Sequence, residues 1–170
     1  MDEKVKKILI ALTVLVSLSF LALPVFASNP AVITATVSPV LISVTVDRGL
    51  IDYGVVSLGD AKESGLIVAT NNGTVVEDFD IKGAIAQSGA SQWSLVTGVP
   101  GENQFRHSFA IREGGSFGAL TPLTSGNENF KDNIASSGVV DFKLKLEMPS
   151  SITGVYDQYT TSVTVTATMH

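Results

Sequence analysis

The sequence predicts an all-β protein, a two-sheet antiparallel β-sandwich, preceded by an N-terminal signal-peptide helix. Three observations carry this. Beyond residue 27 the chain is rich in Val, Thr, Ile, Ser and Gly and has no long stretch of helical periodicity; β-branched side chains lose rotamer freedom in a helix and suit a pleated surface. Short alternating apolar runs are separated by Gly and Asn turn signals. The first 27 residues run in the order basic, apolar, helix breaker, small residue.

That leader begins with Lys4, Lys6 and Lys7, continues through the apolar run Ile8–Leu23, breaks at Pro24 and ends at Ala27. A retained transmembrane helix is the competing reading. It needs about 20 apolar residues and flanking anchors; this run is shorter and no basic flank follows it. Cleavage after Ala27 leaves one domain, residues 28–170, outside the cell or at its surface. No Cys follows to take a lipid anchor, so the membrane is touched only through the leader.

Three of the 11 basic and two of the 16 acidic residues lie in the leader, so the remainder carries a net charge of −6. An acidic surface without a basic patch argues against nucleic acid as a partner. The absence of Cys removes thiol catalysis, disulfides and most zinc sites. A domain of this length buries enough surface to fold without cross-links.

The elements follow in order. Ala31–Val37 (AVITATV) reads as a strand, interrupted by Ser38-Pro39, because proline has no N–H for a ladder. Val40–Val46 resumes it. Leu50–Leu58 reads as a short strand bent at Gly54. Leu66–Thr70 reads as a buried strand, and Asn71-Asn72-Gly73 predicts a hairpin. The return strand, Thr74–Ile85, sets Phe79 and Ile81 inward and Asp78, Asp80 and Lys82 outward. Gln92–Thr97 carries Trp93 and Leu95 on one face, and Phe105–Ile111 alternates cleanly. Residues 113–133 read as a long Gly-rich loop tethered by Phe117, Leu120, Leu123 and Phe130; loops of that length are functional or contain short strands. Val139–Met148 and Tyr159–Met169 close the fold, the former with Val140, Phe142, Leu144, Leu146 and Met148 inward. A closed barrel is the alternative to a sandwich.

Ile51-Asp52-Tyr53-Gly54-Val55-Val56, Thr70-Asn71-Asn72-Gly73-Thr74, Leu146-Glu147-Met148-Pro149 and the Thr/Val-rich Tyr159–Thr168 resemble Ig-like sandwich domains of prokaryotic secreted and surface proteins. The order of leader, terminal strand and single sandwich is similar to camelysin-type and donor-strand filament subunits. The resemblance implies an Ig-like or jelly-roll-like sandwich and a cell-surface location, and carries no activity with it.

No catalytic set emerges from the spacing, and the chain is expected not to be an enzyme. Gly114-Gly115-Ser116-Phe117-Gly118 fits a Gly-x-Ser-x-Gly pattern, but a nucleophile elbow needs a strand–turn–helix setting and a His base. His107, the one internal histidine, shares a face with Phe105 and Phe109 and reads as packed. Trp93 reads as core rather than as a sugar platform. No cofactor is expected. Calcium is the candidate metal, with Asp78 and Asp80 as ligands on one strand face, since calcium takes six to eight oxygens. Asn72 heads an N-glycosylation pattern, Asn72-Gly73-Thr74.

The segment after the leader carries the functional expectation. Ala31, Val32, Ile33, Thr34, Ala35, Thr36 and Val37 form either the domain's own first strand or, within residues 28–38, a donor strand that completes a neighbour's sheet. Repeated head to tail, the second arrangement makes an open filament. The expected function is a non-enzymatic secreted structural subunit of an extracellular filament, sheath or matrix, with itself or other surface proteins as partners. The alternative is a monomeric module that binds a carbohydrate or a surface protein.

Overall fold

A computed structural model describes residues 34–170. The signal-peptide helix and Ala31, Val32 and Ile33 lie outside the described residues. Thr34–Val37 forms no strand and is exposed. From Ser38 onward the chain is one compact unit, all-β, with no helix among the described residues.

Its strands are β1 (Val44–Val46), β2 (Ala61–Glu63), β3 (Ile67–Asn71), β4 (Glu77–Gly83), β5 (Ala86–Ser88) and β6 (Ser91–Leu95). There follow β7 (Gln104–Glu113), β8 (Ser116–Phe117), β9 (Thr121–Pro122), β10 (Glu128–Ile134), β11 (Val139–Glu147) and β12 (Val163–Met169). Sheet A runs β1-β3-β11-β7-β6-β5, with β2 on β11 and β8 and β9 on β7. Sheet B is β10-β4-β12.

Period-two alternation decides which side chains meet between the sheets. Ile67 and Ala69 of β3, Phe109 of β7 and Val140, Phe142 and Leu144 of β11 face Phe79 and Ile81 of β4 and Phe130 and Ile134 of β10. Phe130 sits edge-on to both Phe109 and Phe142, at centroid distances of 5.5 and 5.0 Å. Such T-shaped contacts suit the ring quadrupole. A second cluster, Ala86, Trp93 and Phe105, packs with Leu146, Met148 and Tyr159 at one end. Two sheets thus share one apolar layer, a sandwich-like arrangement.

Several local expectations are corrected. The sheets are not wholly antiparallel: β6 and β7 pair in parallel, Ser94 opposite Gln104 and Leu95 opposite Phe105. Asn71-Asn72-Gly73 makes no hairpin. β3 belongs to sheet A and β4 to sheet B, so the turn carries the chain across the sandwich. The cause is Asn71, fully buried. Its Nδ2 donates to Val75 O (2.9 Å) and Ile134 O (2.8 Å), and its Oδ1 accepts from Gly73 N–H (2.7 Å). These bonds hold the turn between sheets instead of letting it fold back. Leu50–Leu58 forms no strand, and the region 113–133 is not one loop but holds β8, β9 and most of β10. Leu123 and Phe130 tether it as expected, whereas Phe117 and Leu120 are 37% and 39% exposed.

Candidate functional site: a groove between two unpaired strands

β1 ends sheet A and β12 ends sheet B, and among the described residues neither has a second strand partner. Between them lies a groove of about 1080 Å³. One lip is the chain from Val44 to Val56, the other the chain from Tyr156 to Val165. The floor includes Phe142, Leu144, Leu146 and Met148, successive inward residues of β11 and its extension. Leu146 and Met148 point inward as expected, packing on the second core cluster while staying partly exposed to the groove. The rims carry exposed apolar side chains, Leu50, Val55 and Tyr156 at 86%, 99% and 81% exposed, beside the charged Arg48, Asp52 and Asp157.

The first lip is built from the Ile51-Asp52-Tyr53-Gly54 step. Asp52 Oδ1 accepts from Gly54 N–H (2.7 Å), closing a short Asx turn. Gly54 takes φ +61°, a left-handed value that a side chain resists. Lys62 Nζ donates to Tyr53 O (2.6 Å), and Ile51 packs on the core. The Tyr53 hydroxyl shares a 2.8 Å hydrogen bond with His107 Nε2 on the groove floor. His107 is buried, and burial holds its imidazole down at about 4, neutral at ordinary pH. Burial also pushes the Tyr53 phenol above its usual range.

The second lip continues into β12, which pairs with β4 without a register shift from Val163–Gly83 to Met169–Glu77. Its sequence, VTVTATM, carries no charge. Val163, Val165 and Ala167 pack against the core but stay partly exposed, as expected where a covering neighbour is missing.

The sequence-predicted residues are distributed as follows. Asp78 and Asp80 share the outward face of β4, as expected. The Asp78 carboxylate accepts from Asn133 N–H (2.8 Å) and pairs with His170 Nδ1 (2.8 Å), which together hold it below the usual carboxylate range. Among the described residues no three His, Asp or Glu side chains cluster as a metal site. Asn72 is exposed on the crossover, and its Nδ2 donates to Thr45 Oγ1 (2.7 Å). Gly114-Gly115 forms the tight turn between β7 and β8, both at positive φ (56° and 88°), which places Ser116 in a hairpin. Trp93 stacks on Tyr159 at 3.8 Å and is 7% exposed, so it offers no open face to a sugar.

Two residues were given no role of their own in the sequence: Tyr53, which stood only within the Ile51-Asp52-Tyr53-Gly54 step, and Glu77, which shares the parity of Phe79 and Ile81 and is fully buried, a placement that counting alternate residues gives directly.

No family model matches the chain, and no curated protein matches it. Among solved structures the chain is similar to a family 123 glycoside hydrolase from Clostridium perfringens, described for glycolipid glycan hydrolysis, at 16% identity and a TM-score of 0.41. The match covers 75% of this chain and 25% of that one, so this chain spans about a quarter of the hydrolase's length. That neighbour is an enzyme, and it overturns the expectation of a non-enzymatic chain. The expectation rested on the lack of a spaced motif, whereas folding gathers catalytic groups from scattered positions. No activity is carried over from the likeness.

Proposed function

We propose that this protein is a secreted structural subunit that joins further copies of itself into an extracellular filament, sheath or matrix by β-strand addition. In this reading Ala31–Val37 of one copy enters the β1/β12 groove of the next. The single observation that carries it is the groove, apolar along its β11 floor and flanked by two strands with unpaired edges. An inserted strand gains main-chain hydrogen bonds at its sides and pockets for alternate side chains below.

The segment matches the groove in pattern. It has seven residues, as does β12 (Val163–Met169). Ile33-Thr34-Ala35-Thr36-Val37 repeats the pattern of Val165-Thr166-Ala167-Thr168-Met169. Ala31, Ile33, Ala35 and Val37 form one apolar face for the floor, and Val32, Thr34 and Thr36 form the other. Neither strand carries a charge to desolvate. Because donor and acceptor are different surfaces, the contact is heterologous and propagates.

The test uses the chain from Ser28 onward. Electron microscopy and sedimentation are expected to show polymers, and deletion of residues 28–38 is expected to leave a monomer that captures a peptide of residues 29–38. A full-length mature chain that stays monomeric at high concentration, with and without calcium, defeats the reading. Polymers from the deleted chain remove Ala31–Val37 as the donor.

A further inference from the structure

We infer that Gly73 and Glu77 form a clasp whose task is to position the donor segment at its root; this rests on the strand-addition reading above. The root is Leu41–Ser43, just before β1. Thr74 N–H donates to Leu41 O (2.9 Å), and Leu41 N–H donates to Thr74 Oγ1 (3.0 Å). Asn72 N–H donates to Ser43 O (2.8 Å), and Ser43 N–H donates to Glu77 Oε1 (2.8 Å). Four hydrogen bonds thus fix three residues, although Leu41 and Ile42 are 53% and 44% exposed and bury little.

The arrangement is costly in two respects. Glu77 is fully buried, and its Oε2 has no hydrogen-bond partner among the described residues. An unsatisfied buried carboxylate oxygen lowers stability. Gly73 is also obligatory here: a Cβ on it would lie 2.0 Å from Glu77 Oε1 and 2.4 Å from Leu41 O. Its requirement is close approach. A sandwich that needed only stability would fill this corner with an apolar side chain, as it does at Phe79 and Ile81 on the same face of β4.

What the clasp supplies is a defined point of departure. Insertion into another copy is bimolecular, so a root that is already held lowers the conformational freedom the segment loses on docking. With Leu41–Ser43 fixed, the chain leaves the domain from one defined place. Loosening the root leaves the groove and the segment intact but lowers the fraction of productive encounters. Glu77 and Gly73 therefore act through Ser43 and Leu41, as positioning residues, without touching the inserted strand.

The experiment separates this from strand addition itself. Thr74→Val, Gly73→Ala and Glu77→Ala are made in the mature chain and in the chain lacking residues 28–38. In the mature chain, polymerisation is expected to slow by at least about tenfold for Glu77→Ala and Gly73→Ala, and by less for Thr74→Val. In the deleted chain, affinity for the 29–38 peptide is expected to stay within about threefold of the parent, because the groove is untouched. Hydrogen exchange at the Ser43 amide is expected to accelerate in Glu77→Ala. Thr74→Val changes an exposed side chain and keeps the measurement open where the buried variants fold poorly. Polymerisation at the parental rate in all three overturns the clasp. So does a parallel loss of peptide capture, which would make Glu77 a support of the groove. A parent chain that neither polymerises nor captures peptide overturns the strand-addition reading, and the clasp with it.

Discussion

β10 and β12 flank the same strand, β4, yet they end sheet B in opposite ways. β10 is protected. It carries Glu128, Lys131 and Asp132, its pairing with β4 slips twice, and Asn133 stands at φ +60°. Charges and bulges are the usual devices that keep an edge from recruiting another strand. β12 has neither device: it is regular, uncharged and bordered by a groove with an apolar floor. The other strands at the periphery of sheet A, β2, β5, β8 and β9, are only two or three residues long. An edge left open beside protected ones is a specific feature, and it is what directs the functional proposal to this seam.

The contrast can be broken most strongly at Val165. Val165→Lys puts an ammonium between the core and an incoming strand, where an unpaired buried charge costs several kcal/mol. Urea unfolding of the monomer separates blocked assembly from lost folding. Assembly measured by sedimentation is expected to fall at least about a hundredfold. Lys131→Thr on β10 is expected to leave it unchanged. Equal losses from both variants would show that the two edges do not differ in use.

Acid is expected to act next most strongly, and at the groove. The unfolded chain takes a proton on His107 near the ordinary imidazole value, about 6.5, whereas the folded chain takes it near 4. Stability from this residue is therefore complete above about pH 6.5 and lost progressively down to about pH 4, by at most about 3 kcal/mol. Urea unfolding across that range checks it. His107→Gln is expected to flatten the slope. An unchanged slope would place the acid sensitivity elsewhere.

Asn71→Ala is expected to cost about 2 kcal/mol, because two backbone carbonyls and the Gly73 N–H lose their partner. One of those carbonyls belongs to Ile134 at the end of β10, so amide exchange is expected to rise there and not along β12. The smallest effect is at Asn133. A β-branched side chain at its left-handed φ costs about 1 kcal/mol, so Asn133→Val is expected to lower thermal stability modestly or to straighten the bulge. Self-association through a straightened β10 would sharpen the case that the bulge protects this edge.

Much of the sheet pattern was legible because alternation is local. Phe79 and Ile81, Phe105 to Ile111, and Val140 to Leu144 announce their faces by parity alone. The Asn71-Asn72-Gly73 turn was misread for a physical reason. The same residues serve a hairpin or a crossover, and only the carbonyl partners of Asn71 on distant strands choose between them. The pairing of Tyr53 with His107, 54 residues apart, leaves no trace in spacing either.

The sequence by itself determined an all-β chain, its inward faces and the uncharged, β-branched character of both Ala31–Val37 and Val163–Met169. Only the tertiary structure decided that β1 and β12 end different sheets with an apolar-floored groove between them, and that Glu77 grips the chain before β1 where Gly73 leaves room for it. Side-chain periodicity is fixed within a few residues, whereas which backbone edges remain unpaired depends on how all the strands are ordered.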